Sequence, residues 1–135
     1  MNEEKLQSDI AAKFSQQYPN KRGQLFHIAN ERNNKVQVYK ALSIGIVPGV
    51  ADFLFFSKDF NVATELKVKG SRHKVEHLKK QLEWGKVWER EGNVWRLCTT
   101  TEQAISCYNG NFKGITIEEL ENTLKSVKTK TIKIN

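Results

Sequence analysis

Apolar positions in this chain fall into short periodic runs separated by polar breaks, and the period changes from run to run. Leu6, Ile10 and Phe14 recur at helical spacing and Tyr18-Pro19 closes the run, which predicts an amphipathic helix over residues 3 to 17. On a helical wheel Glu3 falls on the same stripe, whereas Glu4 points about a third of a turn away. Either Glu3 looks inward toward a site, or both are solvated first-turn acids favoured by the helix dipole. Gln24 to Ala29 predicts a first strand, and Asn30-Glu31-Arg32-Asn33-Asn34-Lys35 a basic loop leading into a short helix around 36 to 43.

The centre of the chain changes to strand patterning. Gly45-Ile46-Val47-Pro48-Gly49 is a turn, and Val50 to Phe56 reads as a short strand buried on both faces and interrupted by one carboxylate, Asp52. Ser57-Lys58-Asp59 predicts a tight hairpin connection. From Phe60 to Lys67 the alternation sends Val62, Thr64 and Leu66 to one face and Ala63, Glu65 and Lys67 to the other, so Glu65 and Lys67 are expected side by side.

After Gly70-Ser71 a long helix is expected over 72 to 91, with Val75, Leu78, Leu82 and Trp88 buried and Lys79, Glu83, Lys86 and Arg90 wet. Gln81 lies on the apolar side, where a polar group must find a hydrogen-bond partner. Gly92-Asn93 stops the helix and Val94 to Cys98 makes another strand. Thr100 with Gln103 and Thr116 with Glu119 have capping-box spacing, opening helices near 101 to 108 and 116 to 127. Ile117, Leu120, Leu124 and Val127 share one side of the latter, and the basic tail Lys128 to Lys133 is either disordered or an extra edge strand. The expected architecture is one α/β domain with a central mixed β-sheet flanked by α-helices, residues 116 to 135 adding a helix and basic tail to the unit formed by 1 to 115.

Composition narrows the setting. At 135 residues the chain can bury a core without disulfides or a structural metal. It contains no apolar stretch long enough to span a bilayer and opens Asn2-Glu3-Glu4-Lys5 rather than with a leader, so no membrane association and a cytoplasmic or otherwise intracellular location are expected. Cys98 and Cys107 lack metal-ligand spacing and are expected reduced and near the core. The formal charge of +7 favours a polyanionic partner such as nucleic acid.

Charges set in otherwise apolar strands point to chemistry. Two carboxylates at the ends of adjacent strands raise each other's pKa unless a cation sits between them, and Mg²⁺ takes one or two carboxylates while keeping positions for water and phosphate oxygens. Lys67, beside Glu65, is then placed to orient an attacking water and to stabilise charge growing on a phosphate. The competing structural reading has Asp52 capping a turn and Glu65 paired in a surface salt bridge.

Gly49-Val50-Ala51-Asp52, Glu65-Leu66-Lys67 and Gln81-Leu82-Glu83-Trp84, in this order over two strands and a helix, resemble the PD-(D/E)xK nuclease superfamily and, more narrowly, the VRR-NUC family of virus-type replication and repair nucleases. The chain departs from the pattern at Ala51, where the family has proline; Pro48 stands three residues upstream. The resemblance implies a restriction-endonuclease-like fold and an Mg²⁺- or Mn²⁺-dependent DNA endonuclease. It implies Asp52 and Glu65 as metal ligands, the Leu66 carbonyl as a further ligand, Lys67 and Gln81 completing the catalytic set, and Glu3 as the acid from the first helix. It further implies a homodimer acting on branched DNA such as Holliday junctions in replication, repair or recombination; the compact stand-alone domain suits a viral (phage), mobile-element or bacterial origin.

Two alternatives stand beside this. One is a nuclease-like fold that binds DNA without cutting it. The other rests on His73-Lys74-Val75-Glu76-His77, an H-x-x-E-H pattern that on a helix sets two histidines one turn apart, as in inverted zinc metallopeptidases. His27, Asn30 and Arg32 either touch substrate or, the preferred reading, are simply loop residues, and Trp84, Trp88 and Trp95 are read as core packing rather than base stacking.

Overall fold

The computed structural model describes residues 1–29, 43–45 and 47–135. Its elements are α1 (Glu3–Gln17), β1 (Leu25–His27), β2 (Phe53–Phe56), β3 (Asn61–Leu66), β4 (Arg72–Lys74), α2 (Val75–Arg90), β5 (Val94–Cys98), α3 (Thr101–Tyr108), α4 (Ile117–Lys125) and β6 (Thr131–Lys133). A four-stranded sheet runs in the order β1-β2-β3-β5, while β4 and β6 pair separately as a two-stranded ribbon. β1 and β3 each pair antiparallel with β2, and β3 pairs parallel with β5. The fold is therefore α/β with a mixed central sheet and flanking helices. Among the described residues no helix is long and apolar enough to cross a membrane.

The alternation of β3 divides the core in two. Val62 and Leu66 join Leu6, Ile10 and Phe14 of α1 and Ala104, Ile105 and Tyr108 of α3 on one side of the sheet. Ala63 joins Leu78 and Leu82 of α2, Trp95 of β5 and Ile117, Leu120 and Leu124 of α4 on the other. Thr64 is polar but satisfied, its hydroxyl 2.7 Å from that of Tyr108. Each fully buried large apolar side chain contributes roughly 1.5–3 kcal/mol, so these two clusters hold the sheet between its helices. Gly85 lets α2 approach closely, because a Cβ there would meet the Trp95 ring at 3.0 Å.

Local chemistry sets the helix ends. Asn2 caps α1 by accepting from the Lys5 N–H, and Thr116 with Glu119 forms a complete capping box on α4. At α3 the box is half made. Thr100 accepts from the Gln103 N–H, but Gln103 turns its side-chain oxygen to the Thr99 N–H at 2.8 Å.

Several expectations change. β2 begins at Phe53, so Asp52 stands at the entrance of the strand rather than within it, and the strand is not buried on both faces: Phe56 is exposed where the sheet runs out toward its β1 edge. Residues 72–74 are strand rather than helix, because the backbone of the tail at 131–133 pairs with them and α2 starts only at Val75. The tail itself is the edge strand β6, not a disordered extension. The basic loop over 30 to 35 and all but the last residue of the short helix at 36 to 43 lie outside the described residues.

Candidate active site

The antiparallel register between β2 and β3 pairs Phe53 with Thr64, and one further step sets Asp52 across from Glu65. Asp52 is held from two sides. Its Oδ2 accepts the Leu66 N–H at 2.8 Å, and its backbone carbonyl accepts the Ile28 N–H at 2.8 Å. Glu65 is 2% exposed and Lys67 6%, although both carry charged side chains. Lys67 Nζ lies 3.3 Å from Glu65 Oε1, and Gln81 Nε2 donates to the same oxygen at 2.8 Å. The polar position on the apolar side of α2 thus finds its partner in the carboxylate at the end of β3.

These residues surround a cavity of about 180 Å³, walled by Glu3, His27, Ile28, Gly49, Val50, Asp52, Glu65, Lys67 and Gln81. Glu3 reaches it from the first turn of α1, while Glu4 is exposed on another face. Gly49 has φ +83°, and a Cβ there would lie 2.7 Å from the Lys80 carbonyl oxygen, so the turn before Asp52 rests directly on the α2 backbone. Leu66 is the one assigned residue outside the cavity wall: its N–H holds Asp52, and its side chain is buried in the core on the α1 side.

The electrostatics of the cavity are unbalanced. Burial raises the Glu65 carboxyl well above its ordinary range, the Asp52 charge raises it further, and Lys67 only partly opposes them. Burial also raises Asp52, against the lowering effects of the Leu66 N–H and Lys67. Among the described residues Glu65 Oε2 and Gln81 Oε1 are buried with no hydrogen-bond donor. A buried carboxylate oxygen with no donor is costly, and an oxygen-liganded cation relieves that cost. The carboxylates Asp52 and Glu65 offer hard oxygen donors that fit Mg²⁺ or Mn²⁺, with His27 the one imidazole on the described wall and no thiolate there. Among the described residues no three His, Cys, Asp or Glu gather closely enough to hold a metal by themselves.

The chain matches no protein-family model, no curated protein and no solved structure.

His27 lies on the cavity wall and ends strand β1 rather than sitting in a loop. Its Nδ1–H donates to the Asp52 carbonyl at 2.9 Å and its ring lies 5.3 Å from that of Phe53, leaving Nε2 as the second ring nitrogen. Only the pairing of β1 with β2, across 25 residues of sequence, brings it there. Asn30 and Arg32 lie outside the described residues. The H-x-x-E-H pattern is not a helical motif here. His73 lies on β4 with Nε2 2.6 Å from Ser71 Oγ, and His77 lies on α2, so the two do not stand one turn apart on one helix. Trp95 is fully buried, whereas Trp84 and Trp88 stack on each other at 5.4 Å along the margin of the core.

Proposed function

We propose that this chain is a divalent-metal-dependent DNA endonuclease of the PD-(D/E)xK kind, nearest in motif to the VRR-NUC family and built on a restriction-endonuclease-like fold. The observation that carries the reading is the buried Oε2 of Glu65, which meets no hydrogen-bond donor among the described residues and is set across from Asp52 and beside Lys67. A surface salt bridge would not be buried in this way, nor leave one oxygen unpartnered inside a polar cavity.

Asp52 and Glu65 would hold the Mg²⁺ or Mn²⁺; the motif resemblance names Glu3 and the Leu66 carbonyl as further oxygen donors, though among the described residues Glu3 does not gather with the two carboxylates into a closed three-acid site. When bound, the ion polarises the phosphate and lowers the pKa of water beside it. Asp52 is fixed for this by the Leu66 N–H. Gln81 is a positioning residue: by donating to Oε1 it turns Oε2 of Glu65 toward the cavity. Among the described residues Lys67 is the one ammonium on the cavity wall, suited to orient the attacking water and to stabilise the negative charge that grows on the phosphate oxygens.

The motif resemblance supports branched DNA such as a Holliday junction as the substrate, with a role in replication, repair or recombination. One site per chain cuts one strand, so symmetrical cutting of a junction requires a homodimer. An intracellular setting accords with a DNA substrate and with two buried cysteines that remain free thiols.

The test is Lys67→Ala. It is expected to keep DNA binding while losing at least about a hundredfold in cleavage rate, the scale for removing one charge-stabilising group. Undiminished cleavage in this variant would contradict the mechanism.

A further inference from the structure

Positive charge is not spread over the chain. Residues 68–80 and 126–135 hold eight Lys and Arg against the single acid Glu76, a net of +7, while the remaining residues hold fourteen of each sign. The whole formal charge of the protein therefore resides in two segments separated in sequence by more than forty residues. The fold brings them together. β4 and β6 pair antiparallel, with Arg72 opposite Lys133 and Lys74 opposite Thr131. Gly70 and Ser71 bond to the Ile134 backbone, and the Val75 N–H bonds to the Lys130 carbonyl.

The ribbon has two unlike faces. His73 and Ile132 turn inward, Ile132 into the core with α2 and α4. Arg72, Lys74 and Lys133 turn outward, and Lys69, Lys128, Lys130, Lys79 and Lys80 are exposed around them. None of these eight forms an ion pair among the described residues, whereas Lys5, Lys67, Lys86 and Arg96 all do. Like charges directly opposed across two strands destabilise the pairing, so the Arg72/Lys133 match is a feature the fold carries at a cost.

The position is as telling as the charge. β4 begins five residues after Lys67, so its first residue, Arg72, lies at most about 18 Å from Lys67 on the cavity wall, roughly half a turn of B-form duplex. We infer that the outer face of the β4/β6 ribbon binds the phosphate backbone of duplex DNA beside the position of cleavage, Arg72, Lys74 and Lys133 being its central contacts. This rests on the nuclease reading for the identity of the polyanion but not for the existence of the surface. The ribbon reads no bases. It fixes where the duplex lies while the cavity acts on one strand.

The experiment is fluorescence anisotropy of a labelled 20-base-pair duplex, titrated over a range of salt concentrations in EDTA. Wild type is compared with the ribbon variant Arg72→Ala/Lys74→Ala/Lys133→Ala and with Lys13→Ala/Lys58→Ala/Lys113→Ala, which removes the same charge from exposed positions outside the two segments. The ribbon variant is expected to bind at least about tenfold more weakly and to lose about 2 to 3 from the slope of log affinity against log salt, because three phosphate contacts are gone. The control variant keeps the wild-type slope. Arg72→Lys, which preserves the charge if the triple variant folds poorly, retains most of the binding, and Lys128→Ala/Lys130→Ala, in the turn before β6, reduces the slope without removing a ribbon side chain.

Equal slopes in the ribbon and control variants would overturn the inference even if the protein cuts DNA. Preference for an equivalent RNA duplex, or no binding of duplex at all, would overturn it as well. A ribbon-dependent slope in a protein that cuts nothing under any metal would sustain the surface while removing the nuclease reading.

Discussion

Gln81 donates its side-chain N–H to Glu65 Oε1 across 2.8 Å, joining the middle of α2 to the end of β3. Glu65 thus has one oxygen held by Gln81 and Lys67 and the other, Oε2, buried with no partner among the described residues. The difference between the two oxygens orients the carboxylate, and the consequences can be measured.

Gln81→Ala removes a hydrogen bond to a buried charge, a loss of about 1.5–3 kcal/mol in stability. Cleavage is expected to fall about 10- to 100-fold, as for other groups that orient a metal ligand, with a higher metal concentration at half-maximal rate. A purely structural role for Gln81 would lower the melting temperature and leave the metal midpoint in place. Gln81→Glu does not rescue, since it sets a second carboxylate against Glu65.

The raised carboxyls give the metal-free protein a pH dependence with a definite sign. Asp52 and Glu65 bind protons more readily folded than unfolded. Their burden on stability is absent below the ordinary carboxylate range and grows as pH rises toward the folded-state values. In EDTA the wild-type melting temperature should therefore fall between pH 5 and pH 8 more steeply than that of Glu65→Gln. Parallel curves for the two proteins would show that Glu65 is not the group responsible.

Addition of Mg²⁺ or Mn²⁺ at pH 8 should raise the wild-type melting temperature, because a ligand that binds only the folded state stabilises it by mass action. The shift is expected to be lost in Asp52→Ala and in Glu65→Gln. An equal shift in all three proteins would place the bound ion elsewhere.

Gly49 permits the close contact between the turn before Asp52 and α2. Gly49→Ala combines a left-handed backbone that costs a side chain roughly 1–2 kcal/mol with a clash at 2.7 Å against the Lys80 carbonyl. Chemical denaturation should show a loss of about 2 kcal/mol or more, with weaker metal binding as the turn moves off the helix. An unchanged midpoint would mean that the turn yields without consequence.

Lys133→Glu replaces a like-charge match with an attractive one opposite Arg72. Its melting temperature is expected to equal or exceed that of wild type while duplex DNA affinity falls, read by thermal denaturation and anisotropy on one preparation. Lower stability would show that the Arg72/Lys133 pairing carries no repulsive cost.

Much of this arrangement was legible in the sequence because it depends on local periods. The alternation from Val62 to Lys67 separates the two cores and sets Glu65 beside Lys67, and helical spacing puts Gln81 on the inner side of α2 and Glu3 on the inner side of α1. What could not be read depends on pairing between distant segments. Arg72 to Lys74 continue a helical pattern in isolation, and only the backbone of residues 131–133 converts them to strand. His27 enters the cavity through the same kind of long-range register, with β2. The half-made box at Thr100 turned on a neighbouring N–H, that of Thr99, which competed for the Gln103 oxygen.

The most direct measurement is cleavage of labelled four-way-junction, flap, single-stranded and linear duplex DNA in Mg²⁺, Mn²⁺ or EDTA by wild type, Asp52→Ala and Glu65→Ala. Metal-dependent cutting by wild type, strongest on the branched substrates and abolished by both substitutions, is the predicted result. Tight binding with no cutting under either metal, or cutting that survives the loss of Glu65, would contradict the assignment of this cavity as a nuclease site.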